Sequence, residues 1–386
     1  MKVKTVCIVG SGPAALMAGT VLLENGCKVV FFDHKKAPAR KFLVAGHGGF
    51  NLTNSEEIEL FVSHYDKLSV KNAVRCFTND DFRDFLHKIN IETYIGSSGK
   101  VFPVKGIKPI QVLTNWKNYL YHLGAEFYHD YKMIDFQSHK LTFDFTNKLI
   151  SISCDSIILA LGGSSWSVTG SDGHWMDLAL DKGVKCIPFG PSNSGFVLTN
   201  HFIDLSGQKI KNCKLYSSTY QKMGDVVLTD YGVEGAPIYA MNRAYRAGEK
   251  IFIDFKPDLD QTELIKKISK AKNSTDGLKD IKLSKAAISL IQKVIPKVDY
   301  VNREKLAQII KKFELDIESL RPINEVISTT GGIAIDSLDE NFQLILLPQV
   351  YCIGEMVDWD APTGGYLIQA CVSMGHLVGN EISHHS

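Results

Sequence analysis

The stretch that most constrains this chain runs from residue 3 to residue 33. An apolar run (Val6, Cys7, Ile8, Val9) meets a turn holding Gly10 and Gly12. Helix formers follow up to Gly26, and a second apolar run ends on Asp33. That order predicts a β-α-β unit. Gly10 allows the tight turn out of the first strand, Gly12 lets the backbone approach a pyrophosphate, and Ala15 keeps the helix close to the sheet. The pyrophosphate would rest on the amide groups and positive dipole end of a helix beginning near Pro13. Asp33, ending the second strand, is placed to accept hydrogen bonds from a ribose diol. The unit predicts dinucleotide binding.

A chain of 386 residues can bury a sizeable core and divide into two or three domains. With 22% charged residues and a net charge of +1, no global field points to nucleic acid or to acidic partners. Lys2 and Lys4 before an apolar run look like a leader, but Gly10, Gly12 and Pro13 interrupt that run, and the dinucleotide unit accounts for it better. No other stretch is apolar enough to span a membrane, so a cytoplasmic location is expected. The eight cysteines are scattered without a C-x-x-C, which argues against thiol-disulfide flavoenzyme chemistry and against a zinc ribbon. Buried, reduced thiols are expected.

After Asp33 the segment HKKAPARKFLVAGHGGFNLTNSEE is basic and rich in glycine. Arg40 and Lys41 can neutralise phosphate, Gly46, Gly48 and Gly49 permit close backbone approach, and Asn51 can bond to a ring or to backbone. Phe42, Leu43, Val44, Phe50 and Leu52 are too apolar for a solvated loop, so this segment is read as wrapping the cofactor. Phe82, Phe85, Leu86 and Ile89 predict a helix capped by Thr78, and Leu113, Trp116, Leu120 and Leu123 predict another over 110–123. Alternation from Ala125 onward predicts short antiparallel strands. A fully apolar strand then runs into Gly162 and Gly163 and returns to the parallel sheet.

From Cys186 the runs GFVLT, KLYSST, DVVLTDYG and IFIDF predict an inserted β-rich domain. Residues 261 to 320 are read as helical, with 13 Lys and Arg against 8 Asp and Glu. Leu306, Ile309, Ile310 and Phe313 form an apolar stripe there, which favours a solvated bundle face over a nucleic-acid site. Near the end, Val350 to Ile353 is strand-like. Thr363, Gly364 and Gly365 open a final helix whose N-terminus offers a second anion-stabilising position.

Seven separated segments carry a resemblance: GSGPAALMAG, RKFLVAGHGGFNLTNSE, GKVFPV, ALGGSSWSVTGSDG, LTDYGVEGAPIY, TTGGI and CIGEMVDWDAPTGGYLIQA. In this order they resemble the BaiN/YhiN-like NAD(P)/FAD-dependent oxidoreductases, flavoproteins of the wider glutathione-reductase-like group that are also labelled aminoacetone-oxidase-like. The resemblance implies an α/β fold: a Rossmann-like FAD-binding domain split in sequence (1–185 and 323–386), an inserted β-rich domain (186–258) and a small helical bundle (259–322). It also implies FAD contacts at Gly10, Gly12, Pro13, Ala14 and Ala15 for the pyrophosphate and at Asp33 for the adenosine ribose. His34, Arg40, Lys41, Phe42, Gly48, Asn51 and Met133 would surround the cofactor, and Ala160, Leu161 and Gly162 would lie beside it. Gly354 and Glu355 would approach the ribityl and phosphate region, with Gly364, Gly365, Tyr366 and Leu367 facing the isoalloxazine. The chain departs from the family's SGGGRCN pattern at His47 and Phe50, which withholds any carried-over catalytic role from that loop.

The expected activity is hydride transfer through flavin N5 between an unidentified donor and an unidentified small-molecule acceptor. Tyr366, Tyr231, Glu234 and His47 are candidates for lining the substrate cleft, and no residue is assigned as catalytic. The chain holds no second glycine fingerprint after a strand, so a dedicated NAD(P)H domain is not expected, any NAD(P)H would have to bind transiently over the flavin, and an oxidase gains weight against a reductase. Two alternatives stay open: an amine-type oxidase using oxygen, and an RNA-modifying or non-catalytic flavoprotein.

Overall fold

The computed structural model describes residues 3–37, 39–44 and 50–384. The chain forms two compact units, 1–190 with 327–386, and 191–326.

The first unit is built on strand β1 (Thr5–Val9), helix α1 (Pro13–Glu24) and strand β2 (Lys28–Asp33). β1 is central in a five-stranded sheet in the order Val350–Cys352, Ser156–Leu159, β1, β2, Glu126–His129, and every pairing is parallel. Covering helices leave β1 little access to solvent, which explains its unbroken apolar run. α1 is buried almost all round, because the final helix, Tyr366–His384, lies against its other side. The approach is close: a Cβ on Gly375 would stand 2.3 Å from the carbonyl oxygen of Ala14.

The first part of the alternating stretch after Ala125, expected to hold only antiparallel strands, divides in two. Glu126–His129 joins the parallel sheet beside β2, and only Lys132–Gln137 enters an antiparallel meander with Lys140–Phe145 and Lys148–Ser153. The break falls at Asp130, whose φ of 64° reverses the chain. Thr78 caps the helix Asn79–Lys88 with a full capping box to Asp81. The helix expected over 110–123 spans Pro109–His122 and buries Leu113, Trp116 and Leu120.

The second unit carries a seven-stranded sheet whose pairings are all antiparallel, in the order Phe313–Glu314, Phe252–Asp254, Lys209–Tyr216, Gln221–Leu228, Gly232–Glu234, Phe196–Leu198, Ile317–Leu320. Helices from Gln261–Ser269 to Arg303–Lys311 pack into the same hydrophobic cluster as this sheet. The helical run stops at Lys311, short of the expected 320. Phe313, placed above on a helical stripe, is a strand residue paired with Ile253, because Lys312 leaves the helix at φ −142°. All eight cysteines are free, and Cys76 is exposed rather than buried.

Candidate functional site

The carboxyl ends of the parallel strands bring the glycine turn, Asp33, Ala160 and Gly354 to one edge of the sheet, where open α/β sheets bind ligands. The Gly10 amide donates to the Phe32 carbonyl at 2.8 Å, Ala160 N to Val9 O at 2.8 Å, and Ile353 N to Leu159 O at 3.0 Å. Gly10 has φ +103°, and a Cβ there would stand 2.3 Å from the Ala160 oxygen. Gly12 differs: it is the N-cap of α1, no side chain caps the helix, and nothing lies within 4 Å of the position a Cβ would take. Pro13 occupies the first turn, where its missing N–H is no loss. Ala14 and Ala15 are buried behind the turn. The result is an open cradle of free amide groups at a helix N-terminus, suited to a phosphate.

Asp33 accepts hydrogen bonds from Ser11 Oγ and, at 2.8 Å, from Lys35 N, which fix its carboxylate at the end of β2. Its register partner on the neighbouring strand is His129. Four buried side-chain polar atoms lack a partner among the described residues, and two of them, His34 Nε2 and His129 Nδ1, flank Asp33. An unpartnered buried nitrogen costs about 1–3 kcal/mol, so these rings fit a site completed by a group with hydrogen-bonding atoms of its own. The residues at this edge therefore suit the adenosine and pyrophosphate half of FAD.

Lys41 and Glu355 form a second cluster. Lys41 Nζ donates to Glu355 Oε2 and to Ser165 Oγ, each at 2.6 Å, and Glu355 Oε1 accepts from Thr329 N at 3.1 Å. The lysine expected to neutralise phosphate thus already has a carboxylate partner. Cys371 lies near this pair, its thiol pushed up to about 12 by burial and then by the Glu355 charge. Gly354 is buried, and its carbonyl accepts from Trp359 Nε1 at 2.9 Å.

The remaining expected positions are spread out. Arg40 is exposed, and Phe42 packs edge-on against Phe50 at 5.0 Å. Asn51 is half-buried, whereas His47 and Gly48 fall outside the described residues. Met133 and Leu161 line an apolar gap with Trp175, Cys352 and Met356. The Gly162 carbonyl accepts from Trp175 Nε1 at 2.9 Å. Tyr231 and Glu234 belong to the second unit, hydrogen-bonded to each other, with Arg321 over the Tyr231 ring at 3.9 Å. Burial, followed by Glu234, raises the Tyr231 phenol well above its usual range.

At the start of the final helix, Gly364 and Gly365 have φ of +123° and +105°, and a Cβ on Gly365 would collide with the Thr53 backbone at 2.3 Å. Leu367 is half-buried in the first turn. The Tyr366 ring turns inward against Phe61 and His64, and its hydroxyl donates to Glu56 Oε2 at 2.8 Å. Ser11, Ser165, Thr329, Glu56 and His64 escaped sequence reasoning, because only the fold brings them to their partners. The short spacing of Ser11 from the glycine turn was the one signal present.

A family model described as HI0933-like protein Rossmann domain matches residues 4–381. A ribosomal RNA dihydrouridine synthase of Haemophilus influenzae is 24% identical, covering 97% of this chain and 98% of its own length. A 3-dehydro-bile acid delta(4,6)-reductase of Clostridium scindens is 22% identical over 96% of this chain and 97% of its own. Among solved structures, the open conformation of a flavocytochrome c3 fumarate reductase superposes with a TM-score of 0.52 at 11% identity, covering 100% of this chain and 78% of that one; it shows the fold alone. Fold and sheet-edge cradle together define a flavoprotein oxidoreductase of the dinucleotide-binding type. The chain belongs to the HI0933-like Rossmann family, the BaiN/YhiN-like FAD-dependent oxidoreductases. Among the described residues no helix is long and apolar enough to cross a membrane.

Proposed function

We propose that the first unit binds FAD and serves the reduction of a carbon–carbon double bond conjugated to a carbonyl, with NAD(P)H as the transient hydride donor. The observation that carries this reading is the uncapped turn at Gly12, beside Asp33 on the adjacent parallel strand. When bound, FAD supplies the two-electron chemistry at its N5 position. The chain's residues bind and orient it. The α1 amides hold the pyrophosphate, Asp33 accepts the ribose hydroxyls, and the Lys41–Glu355 pair borders the ribityl and phosphate region. Gly364, Gly365 and the first turn of the final helix carry the flavin ring. That helix N-terminus favours negative charge on the ring, and hence its reduced form.

The bond class is supported by the names of two relatives matched over nearly their whole length. Dihydrouridine is uridine with its carbonyl-conjugated 5,6 double bond reduced, and a delta(4,6)-reductase acts on double bonds conjugated to a 3-oxo group. Both are reductions of an electron-poor alkene, so the acceptor class is held in common while the molecules differ. A small-molecule enone is the first reading, in line with the near-neutral charge. Ribosomal RNA is the second reading, supported by the dihydrouridine synthase name alone.

The test is anaerobic. Enzyme reduced with NADH or NADPH is mixed with a 3-oxo-4-ene steroid, and in parallel with an unmodified ribosomal RNA transcript. Flavin reoxidation with a product two hydrogens heavier is expected with one of them. Flavin that stays reduced with both alkenes and is reoxidised only when air is then admitted overturns the proposal in favour of an oxidase.

A further inference from the structure

Glu56 and His64 stand at the opening of the final helix, and the function argued above does not yet use them. Glu56 Oε2 accepts from the Tyr366 hydroxyl at 2.8 Å and lies 2.8 Å from His64 Nε2. The His64 ring packs on the Tyr366 ring with centroids 4.4 Å apart. Tyr366 is the first residue of the helix, and its own carbonyl accepts from Tyr65 Oη at 2.7 Å. Tyr65 is completely buried, which raises its phenol well above the usual range and keeps it a neutral donor. One carboxylate is thus tied to the first residue of a helix whose N-terminus is already fixed by the contact of Gly365 with Thr53.

The electrostatics have a consequence for a reducible ring at that terminus. Two-electron reduction of FAD with one proton leaves a net negative charge, which would share the helix N-terminus with the Glu56 carboxylate. Two like charges in a partly buried region repel, and a proton on the imidazole bonded to Glu56 relieves that repulsion. Imidazole is the side chain suited to change charge near neutral pH. The surrounding charges are compensated or one-sided: Lys41 is paired with Glu355, Lys67 with Asp66 and Asp358, and Arg75 with Glu59. Lys100 approaches the turn, with its Cε 3.7 Å from where a Gly364 Cβ would be.

We propose that Glu56 and His64, linked to the final helix through Tyr366, form a proton-holding site that takes up a proton when the bound FAD is reduced. The balance is two electrons and one proton to the cofactor, and one further proton from solvent to His64; Tyr366 acts as a positioning residue. The inference rests on the FAD reading of the same helix terminus.

The test is proton uptake during anaerobic photoreduction in weak buffer with a pH indicator, using a sacrificial amine as electron donor and no substrate. At a pH where the reduced flavin stays anionic, wild-type protein is expected to take up more protons per two electrons than His64→Gln photoreduced under the same conditions, so that protons released by oxidation of the amine cancel in the comparison. His64→Gln is expected to take up only the one proton that goes to the flavin at that pH. The isosteric Glu56→Gln removes the repelling charge while keeping a partner for Tyr366, and is expected to lose the excess as well. Equal uptake by the wild type and both variants at every pH tested overturns the inference while leaving FAD binding intact. Protein that takes up no FAD overturns the cofactor reading instead, and the inference with it.

Discussion

Lys41 Nζ lies 2.6 Å from Glu355 Oε2, so an ion pair joins the segment after β2 to the turn after the last parallel strand, 314 positions away in sequence. Ser165 Oγ and Thr329 N complete the shell around the two charges. The pair bridges the two sequence segments of the first unit at the sheet edge where the cofactor is expected.

Lys41→Met should therefore do two things. It leaves a largely buried carboxylate without its cation, a loss of about 1–3 kcal/mol, with residual solvent access keeping it toward the lower end. It should also weaken FAD binding, because Glu355 then presents an unneutralised charge to the phosphates. Urea unfolding of the apoprotein and a fluorescence titration with FAD read the two effects separately. Unchanged values in both would show that the pair is incidental.

Asp33→Ala removes the carboxylate held by Ser11 and the Lys35 amide. Hydrogen bonds to a charged group contribute about 1.5–3 kcal/mol each. FAD affinity should fall about 10- to 100-fold, read separately from the loss of apoprotein stability that follows from the missing Ser11 and Lys35 bonds. Equal affinities for variant and wild type would remove Asp33 from the ribose site.

Two glycines separate conformational strain from close approach. Gly26 has φ +79° with nothing within 4 Å of a would-be Cβ, whereas Gly10 combines φ +103° with an oxygen 2.3 Å away. Gly26→Ala should cost about 1–2 kcal/mol from strain alone. Gly10→Ala should cost about 3–5 kcal/mol and abolish FAD binding. Equal losses in chemical denaturation would contradict the close contact.

His376 gives a pH prediction. Its ring stacks on Phe77 at 4.4 Å, and burial lowers its pKa from the ordinary 6.5, against opposing contributions from Asp81 and Glu24. Below about pH 6.5 the unfolded chain binds a proton that the folded ring resists, so stability falls as pH drops through that window and is level above it. His376→Phe should flatten this dependence. The slope of unfolding free energy between roughly pH 5 and 7 is the measurement, and an unchanged slope in the variant would contradict the assignment.

Local signals carried far into the structure. The β1-α1-β2 unit was readable because its turn, helix length and terminal acid are set within a few residues of one another, and Thr78 because a capping box spans four positions. Relationships set by tertiary contact were not readable. Nothing near Lys41 names Glu355, and nothing near Tyr366 names Glu56, 310 positions earlier. Phe313 fitted a helical stripe by spacing, and only the departure of Lys312 from the helix turns it into a strand residue. Glu126–His129 alternates as a half-buried antiparallel strand would; pairing beside β2 makes it parallel.

The most direct test of the central claim is the visible absorption spectrum of the purified protein before and after incubation with FAD, with the released cofactor identified after denaturation. The account predicts a flavin spectrum, release of FAD rather than FMN, and its loss in Gly10→Ala. A colourless wild-type protein that takes up no added FAD would contradict it, and the cradle at Gly12 would then have to serve a different phosphate-bearing ligand.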